Sequence, residues 1–450
     1  MKNFKFILFF FVSIFLFSSL SAAAEEHDSY ILKLKNNDNF NLISAEERDF
    51  LLSSKISAFS ALKNQIEYIE PNYDVFLHNT QEINWNFTFV NANIPQEYGC
   101  YGNEIKIAVI DSGVYPHELL KQNLSAGYNF VDNSYDTSDN IGHGTFVASI
   151  ISAAVNNTYT EGIAPKSKVI PLKCFEGNKG SIDKICEAIK YAVDVKKCSI
   201  INMSFGLSNN SSALKEAVEY ALSKNVILVS SVGNNGTSKL TYPSAYNGVV
   251  GVGAVDKNLN VCNFSQHNNS VDVVAPGEDL NGILVSGNNK NSGTSFSAPH
   301  VSAAAAIALC IDDEITPQRF NDLIQSTSTD LGDAGYDFYY GNGLLNIGKM
   351  SEQLIEEKNI FISPINIDSL SSKVTIVNNQ SDCTAFVTFA DYNGKYLNNC
   401  IINNVNLASK EKVDVSFPIN GRLIKYFVWN TAKQPIPLTK TREYIIDSGE

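Results

Sequence analysis

Apolar positions in this chain come in short blocks, and their period changes along its length. From residue 104 onward two patterns take turns. Ile105-Lys106-Ile107-Ala108-Val109-Ile110 is a nearly continuous apolar run of strand length, and it ends at Asp111-Ser112-Gly113. After His143, the residues Val147, Ile150, Ile151 and Ala154 recur at helical spacing. A strand at 169–173, a helix at 182–193, a strand at 199–204, a helix at 213–224 and a strand at 226–232 follow, then strands at 249–255 and 271–275. This alternation predicts an α/β fold, a mostly parallel sheet with helices on both faces. Ligands of such sheets sit beyond the carboxyl ends of the strands, which is where Asp111, Ser204 and Asn234 fall.

One helix departs from the amphipathic pattern. Val301-Ser302-Ala303-Ala304-Ala305-Ala306-Ile307-Ala308-Leu309 is small-sided and free of charge, as expected of a helix packed on several faces at the centre of a fold. Pro299 lacks an N–H, which costs nothing only in a first turn, so the helix is expected to begin near Ser295. Ser295 would then lie at the positive end of the helix dipole, among unpaired backbone N–H groups that suit a developing oxyanion. A Gly-Thr-Ser loop that merely caps a helix would look the same, so this stretch decides nothing alone.

Both flanks read differently. Residues 25–80 form a small α+β pattern, with strands at 30–34 and 66–73 and a helical stretch between 45 and 63. After Gly341-Asn342-Gly343-Leu344-Leu345-Asn346 and the polar stretch 351–358, helices give way to strands at 374–377, 385–389 and 424–429, a small all-β module over 351–450. Lys2 and Lys5 precede an apolar run from Phe6 to Phe17, and small residues end in an Ala-x-Ala pattern at Ala24. Residues 1–24 therefore read as a secretory signal peptide, and the protein is expected outside the cell. No later segment reads as a membrane span.

Net charge is −13, and only four of the 34 basic residues are arginine (Arg48, Arg319, Arg422, Arg442). Nucleic acid is excluded as an expected partner, because phosphate binding needs a basic face. Eight cysteines in an exported chain permit disulfides, and Cys383 with Cys400, flanking one short stretch, is the expected pair. None of them shows Cys-x-x-Cys spacing, which argues against zinc.

Three motifs carry chemistry: Asp111 in VIDSG, His143 in GHGTFVAS and Ser295 in GTSFSAPH. An acylating serine needs a base for its proton, and that base needs a carboxylate to fix its tautomer. In these motifs and in the order Asp, His, Ser, the chain resembles the subtilisin-like serine proteases (subtilases) over roughly residues 84 to 349. The resemblance implies a subtilisin-like domain over 81–350, in which Asp111 orients, His143 serves as base and then acid, and Ser295 is the nucleophile. Val232-Gly233-Asn234-Asn235-Gly236 matches the family's oxyanion block, so Asn234 is the expected side-chain donor. Ser204-Phe205-Gly206 and Ser231-Val232-Gly233 match the edges that pair with an extended peptide or protein substrate. With no acidic residue identified on those walls, apolar or aromatic residues are expected before the cut. From YILKLK and IEYIEPNYDV, the 25–80 unit resembles the family's propeptide and would act as an intramolecular inhibitor, with residues 76–81 cut by the enzyme itself. From FADYNGKYLNN and IKYFVWN, the C-terminal module resembles small β-sandwich domains appended to secreted bacterial proteins.

The resemblance implies no cofactor for the chemistry and a structural calcium, with Val155-Asn156-Asn157-Thr158 as the matching loop; Tyr159-Thr160 stand where that loop's glycine belongs. Asp132, Asp136 and Asp139 read as a solvated acidic loop whose spacing does not fit an EF-hand. His300 reads as a packed core residue, and His27, His78, His117 and His267 show no partner by spacing. Two rivals stand beside the protease. A catalytically idle relative would keep the fold as a binding or scaffold module, but has no need of all four site residues. An α/β-hydrolase esterase requires Gly-x-Ser-x-Gly, and Ser297 occupies the place of its second glycine.

Overall fold

Seven parallel strands form the central sheet of the computed structural model, which describes residues 85–154, 161–285 and 290–367, most of 372–445, and segments of 30–71. The strands are β4 (Lys106–Asp111), β5 (Tyr128–Asn129), β6 (Lys168–Lys173), β7 (Ile200–Met203), β8 (Ile227–Ser231), β9 (Val249–Val255) and β10 (Val273–Pro276), numbered after three in the first unit below. Their order across the sheet is β10-β9-β8-β7-β4-β6-β5. From β4 the chain crosses to the edge strand β5, returns as β6 between them, and then adds β7 to β10 in order on the other side of β4. Where the order reverses, the connections at the carboxyl ends diverge and leave a crevice. Asp111 is the last residue of β4, at that reversal.

Helices α1 (His143–Ser152), α2 (Ile182–Asp194), α3 (Ser212–Ser223), α4 (Thr294–Ile311), α5 (Pro317–Thr327) and α6 (Ile347–Glu356) complete the α/β unit. Its core divides between the two faces of the sheet. Alternate strand residues such as Ile107, Val109 and Val229 join α1 and α4, whereas Ala108, Ile110 and Leu228 join α2 and α3. Helix α4 is buried along almost its whole length, and its alanines 303–306 and 308 are fully inaccessible. At 18 residues it is long and apolar enough to cross a bilayer by composition, contrary to the expectation that no later segment would be. It spends that apolarity inside the sheet's core.

Pro299 lies in the second turn of α4, which starts at Thr294, so the expected start holds but the proline sits one turn deeper than anticipated. Its missing N–H leaves the carbonyl of Ser295 without a helical donor.

Residues up to Thr80 cluster as a separate unit, whose described part is an antiparallel sheet of β1 (Tyr30–Leu34), β2 (Phe40–Ile43) and β3 (Ile66–Pro71) in the order β2-β1-β3. The leader over 1–24, residues 76–81, the calcium-type loop at 155–158 and most of the stretch at 45–63 lie outside the described residues.

Helix α6 runs through residue 350, the expected boundary, because Ile347, Met350 and Leu354 bury one face of what the sequence presents as a polar stretch. Beyond it come β11 (Ile360–Ile362), β12 (Asn366–Ile367), β13 (Ser372–Asn378), β14 (Cys383–Asn393), β15 (Tyr396–Leu407), β16 (Lys412–Phe417), β17 (Leu423–Trp429) and β18 (Arg442–Ile445). One sheet runs β11-β13-β12 with β16 on β13, and the other runs β15-β14-β17-β18. The two share a core of their own, including Val374, Phe389, Val415 and Tyr426. This region is also fastened to the α/β unit. The Arg442 guanidinium donates to the carbonyls of Cys310 and Ile311 at 3.1 and 3.2 Å, capping the end of α4. Register overturns the expected Cys383–Cys400 pairing: Cys383 faces Leu407, and Cys400 faces Ala390, seven positions along the strand. Seven residues of strand span about 23 Å, and a disulfide needs Cα atoms within about 7 Å.

Candidate active site

Asp111 and His143 meet because two element ends are drawn together. Strand β4 delivers Asp111, which is 4% exposed, and α1 begins at His143. A Cβ on Gly144 would lie 2.2 Å from the Gly113 carbonyl oxygen and 3.1 Å from Asp111 Oδ1, so glycine is required for the helix to start this close to the strand. His143 Nδ1 lies 2.8 Å from Asp111 Oδ1, which also accepts the Ser112 N–H at 2.7 Å. A carboxylate can only accept, so Nδ1 carries the proton and Nε2 is left as the basic nitrogen. The imidazole is 33% exposed. Burial disfavours its charged form, but the Asp111 carboxylate in contact with it, and Asp139 beyond, outweigh that cost and hold His143 above the ordinary histidine value of 6.5.

Ser295 enters from α4. Gly293 precedes the helix at φ +151°, a conformation that side chains resist, and turns the chain sharply into it. Ser295 is half-buried, and the ring of Phe296 beside it lies 5.2 Å from the His143 ring. The carbonyl freed by Pro299 accepts the Ser204 hydroxyl at 2.7 Å. Ser204 Oγ accepts from Asn202 Nδ2 at 2.8 Å, and Asn202 Oδ1 accepts from Ser302 Oγ at 2.9 Å. A buried relay thus ties the serine turn to β7 and back to its own helix. The hydroxyl of Ser204 is committed inward, so only its backbone can face a ligand.

Asn234 follows β8 and is exposed, and its orientation is fixed by donors. Its Oδ1 accepts the Thr294 N–H at 2.8 Å and the Thr294 hydroxyl at 2.9 Å, while that hydroxyl accepts the Gly233 N–H at 3.2 Å. With the oxygen so occupied, Nδ2 is the free end, and it lies 3.5 Å from where a Cβ on Gly293 would stand. Thr294 went unassigned in the sequence, and its signal was a hydroxyl one residue before the serine.

The remaining expected residues flank this turn. Ser204-Phe205-Gly206 leaves β7 and Ser231-Val232-Gly233 leaves β8, and the two strands are adjacent, with Ser230 paired to Met203. Ser231 and Val232 are buried, Phe205 and Gly233 half-buried, and Gly206 exposed. Phe205 rests against Phe175 at 5.3 Å.

The acidic loop is only partly as expected. Asp132 and Asp136 are exposed, and each accepts a backbone N–H two residues on. Asp139 is 1% exposed and is no solvated side chain, because five donors surround it. The three carboxylates do not converge, and among the described residues no group of three or more His, Cys, Asp or Glu is placed to hold a metal. His300 is fully buried: its Nδ1 bonds the Phe296 carbonyl at 2.9 Å, its Nε2 meets Asn86 Nδ2 at 3.1 Å, and burial pulls its pKa down to about 4, so it stays neutral. His267, without a partner by spacing, stacks on Tyr339 at 4.5 Å.

The sequence profile of the Subtilase family matches residues 102–343. An alkaline protease of Alkalihalobacillus alcalophilus is 30% identical over 366 residues, covering 74% of this chain and 94% of that protein. Subtilisin DY of Bacillus licheniformis is 33% identical over 274 residues, 59% of this chain and 98% of its own length. Among solved structures, a protease from Pseudoalteromonas arctica aligns with a TM-score of 0.54 at 23% identity, over 60% of this chain and 97% of that one, a likeness of fold.

Proposed function

Because the chain belongs to the subtilase family and is a serine-type endopeptidase, we propose that Asp111, His143 and Ser295 are its catalytic triad. The 2.8 Å contact from Asp111 to His143 Nδ1 carries the reading, because it leaves Nε2 basic in the crevice that the Ser295 turn enters. Ser295 Oγ attacks the scissile carbonyl while His143 Nε2 takes its proton. Nε2 then returns that proton to the leaving amine, and water repeats the sequence on the acyl-enzyme. Asn234 Nδ2 and the Ser295 N–H hold the oxyanion.

A fluorophosphonate probe tests the assignment: it should label mature enzyme at Ser295, in competition with peptide substrate. An idle scaffold would take no label. Asn234→Ala should lower kcat by about 10²–10³-fold with little change in KM, because the amide acts when charge develops. Steady-state kinetics on a peptide ester and on a peptide would read the split.

pH dependence follows from the charge on His143. The base must be neutral, and its partners hold it above 6.5. The acid limb of kcat/KM should therefore fall above pH 6.5, with activity rising toward the alkaline side. A limb below that value would mean that burial outweighs the Asp111 and Asp139 carboxylates at His143, and loss of the limb in His143→Ala identifies the base.

Substrate binding uses the backbone of Ser204-Phe205-Gly206 and Ser231-Val232-Gly233 as strand partners for an extended peptide. Ser231 and Asn235 stand where an acid would select basic side chains, which supports preference for apolar or aromatic residues before the cut. Export through the leader 1–24, inhibition by the propeptide 25–80, and the division into 81–350 and 351–450 belong to the same proposal. A structural calcium rests on the likeness of Val155-Asn156-Asn157-Thr158 to a family calcium loop, from which Tyr159-Thr160 depart at the glycine position.

A further inference from the structure

Asp139 is the buried carboxylate that this mechanism leaves without a part. It lies four residues before His143, and both of its oxygens are filled. Oδ1 accepts the Ser112 hydroxyl and the N–H groups of Ile141 and Gly142, each at 2.9 Å. Oδ2 accepts the N–H of Thr145 at 2.9 Å and its hydroxyl at 2.6 Å. Ser112 Oγ, held on Asp139, in turn accepts the Gly144 N–H at 3.0 Å. One side chain therefore gathers the residue after Asp111 and the residues on both sides of His143. Capping a helix needs a single acceptor, so five donors exceed that task. Burial pushes the Asp139 pKa up, and the donors from Thr145, Gly142 and Ile141 more than reverse it, so the group stays ionised.

We infer that Asp139 is a positioning residue for the reaction: it locks the strand-to-helix junction that keeps Asp111 against His143, and its fixed negative charge is a second support for the imidazolium formed during turnover. The inference rests on the triad reading above. Among the described residues, Asp111 and Asp139 are the charged groups that raise the His143 pKa. Lys173, on β6 beside the same loop, donates its Nζ to the Ser138 carbonyl at 2.6 Å in an exposed contact.

Asp139→Asn tests it, because asparagine keeps the volume but removes the charge and turns an N–H₂ against donors. Per active site titrated with fluorophosphonate, kcat should fall by up to about 10²-fold with KM little changed. The acid limb of kcat/KM should also move to lower pH, since the imidazolium loses support. A purely structural role would lower the folded fraction and leave both the limb and the per-site kcat of the wild type; that result overturns the inference. Should Asp139→Asn fail to fold, Ser112→Ala decides. It keeps the charge but cuts the link, so a per-site kcat loss with an unmoved limb supports the inference and an unchanged kcat refutes it. Wild-type enzyme assayed alongside keeps the two readings apart. If it takes no label and shows no turnover, the triad assignment has failed; if it is active while the variants match it, only the role of Asp139 has failed.

Discussion

Ser295→Ala is expected to lower kcat by about 10⁶-fold, the loss that follows when the nucleophile of such a catalytic unit is removed. The change deletes one half-buried oxygen at the start of α4, whose carbonyl stays on Ser204 and whose helix stays packed. Thermal stability should therefore remain within about 0.5 kcal/mol of wild type, as for substitutions that create no cavity and break no buried bond. A folded but silent variant has a second consequence. If the enzyme cuts its own chain near residue 80, the variant should accumulate with the 25–80 unit still covalently attached. Intact-mass measurement of exported protein would read this directly. Cleavage near residue 80 in the variant would assign that cut to another protease.

Asp111→Asn should cost about 10⁴-fold in kcat. Asparagine fits the same buried space, and its oxygen can still accept the Ser112 N–H now held at 2.7 Å. The charge is lost, and the amide can present N–H₂ to His143 and invert its tautomer. Without the carboxylate, the His143 pKa should drop, because Asp111 supplies the main attraction that raises it. The acid limb should move down as the rate collapses, and a pH profile of kcat/KM on both proteins would show the two effects together. A variant that keeps wild-type kcat would remove Asp111 from the mechanism.

Much of this architecture is local and therefore readable. The apolar runs ending at Asp111, Met203 and Ser231 appear as strands with the expected polarity at their carboxyl ends. The charge-free run after Pro299 is the buried helix it looks like. What stayed hidden joins distant positions. Ser204 supplies the bond that Pro299 withholds across 91 residues, and Thr294 orients Asn234 across 60. Asp139 reaches Ser112 across 27 residues, so a side chain that reads as solvated loop is the best-coordinated carboxylate near the site. Cys383 and Cys400 look like partners in sequence, yet hairpin register sends them to different ends of the ladder.

By itself the sequence determined the alternating architecture, the three motifs and their order, because hydrophobic period and turn chemistry act over a few residues. Tertiary structure alone decided which hydroxyl faces inward, which end of Asn234 is free, and that the Asp139 carboxylate is buried on Ser112 and Thr145. Those outcomes depend on which donors and acceptors are left unpaired when strands and helices close on one another, a count that exists only once the chain has folded.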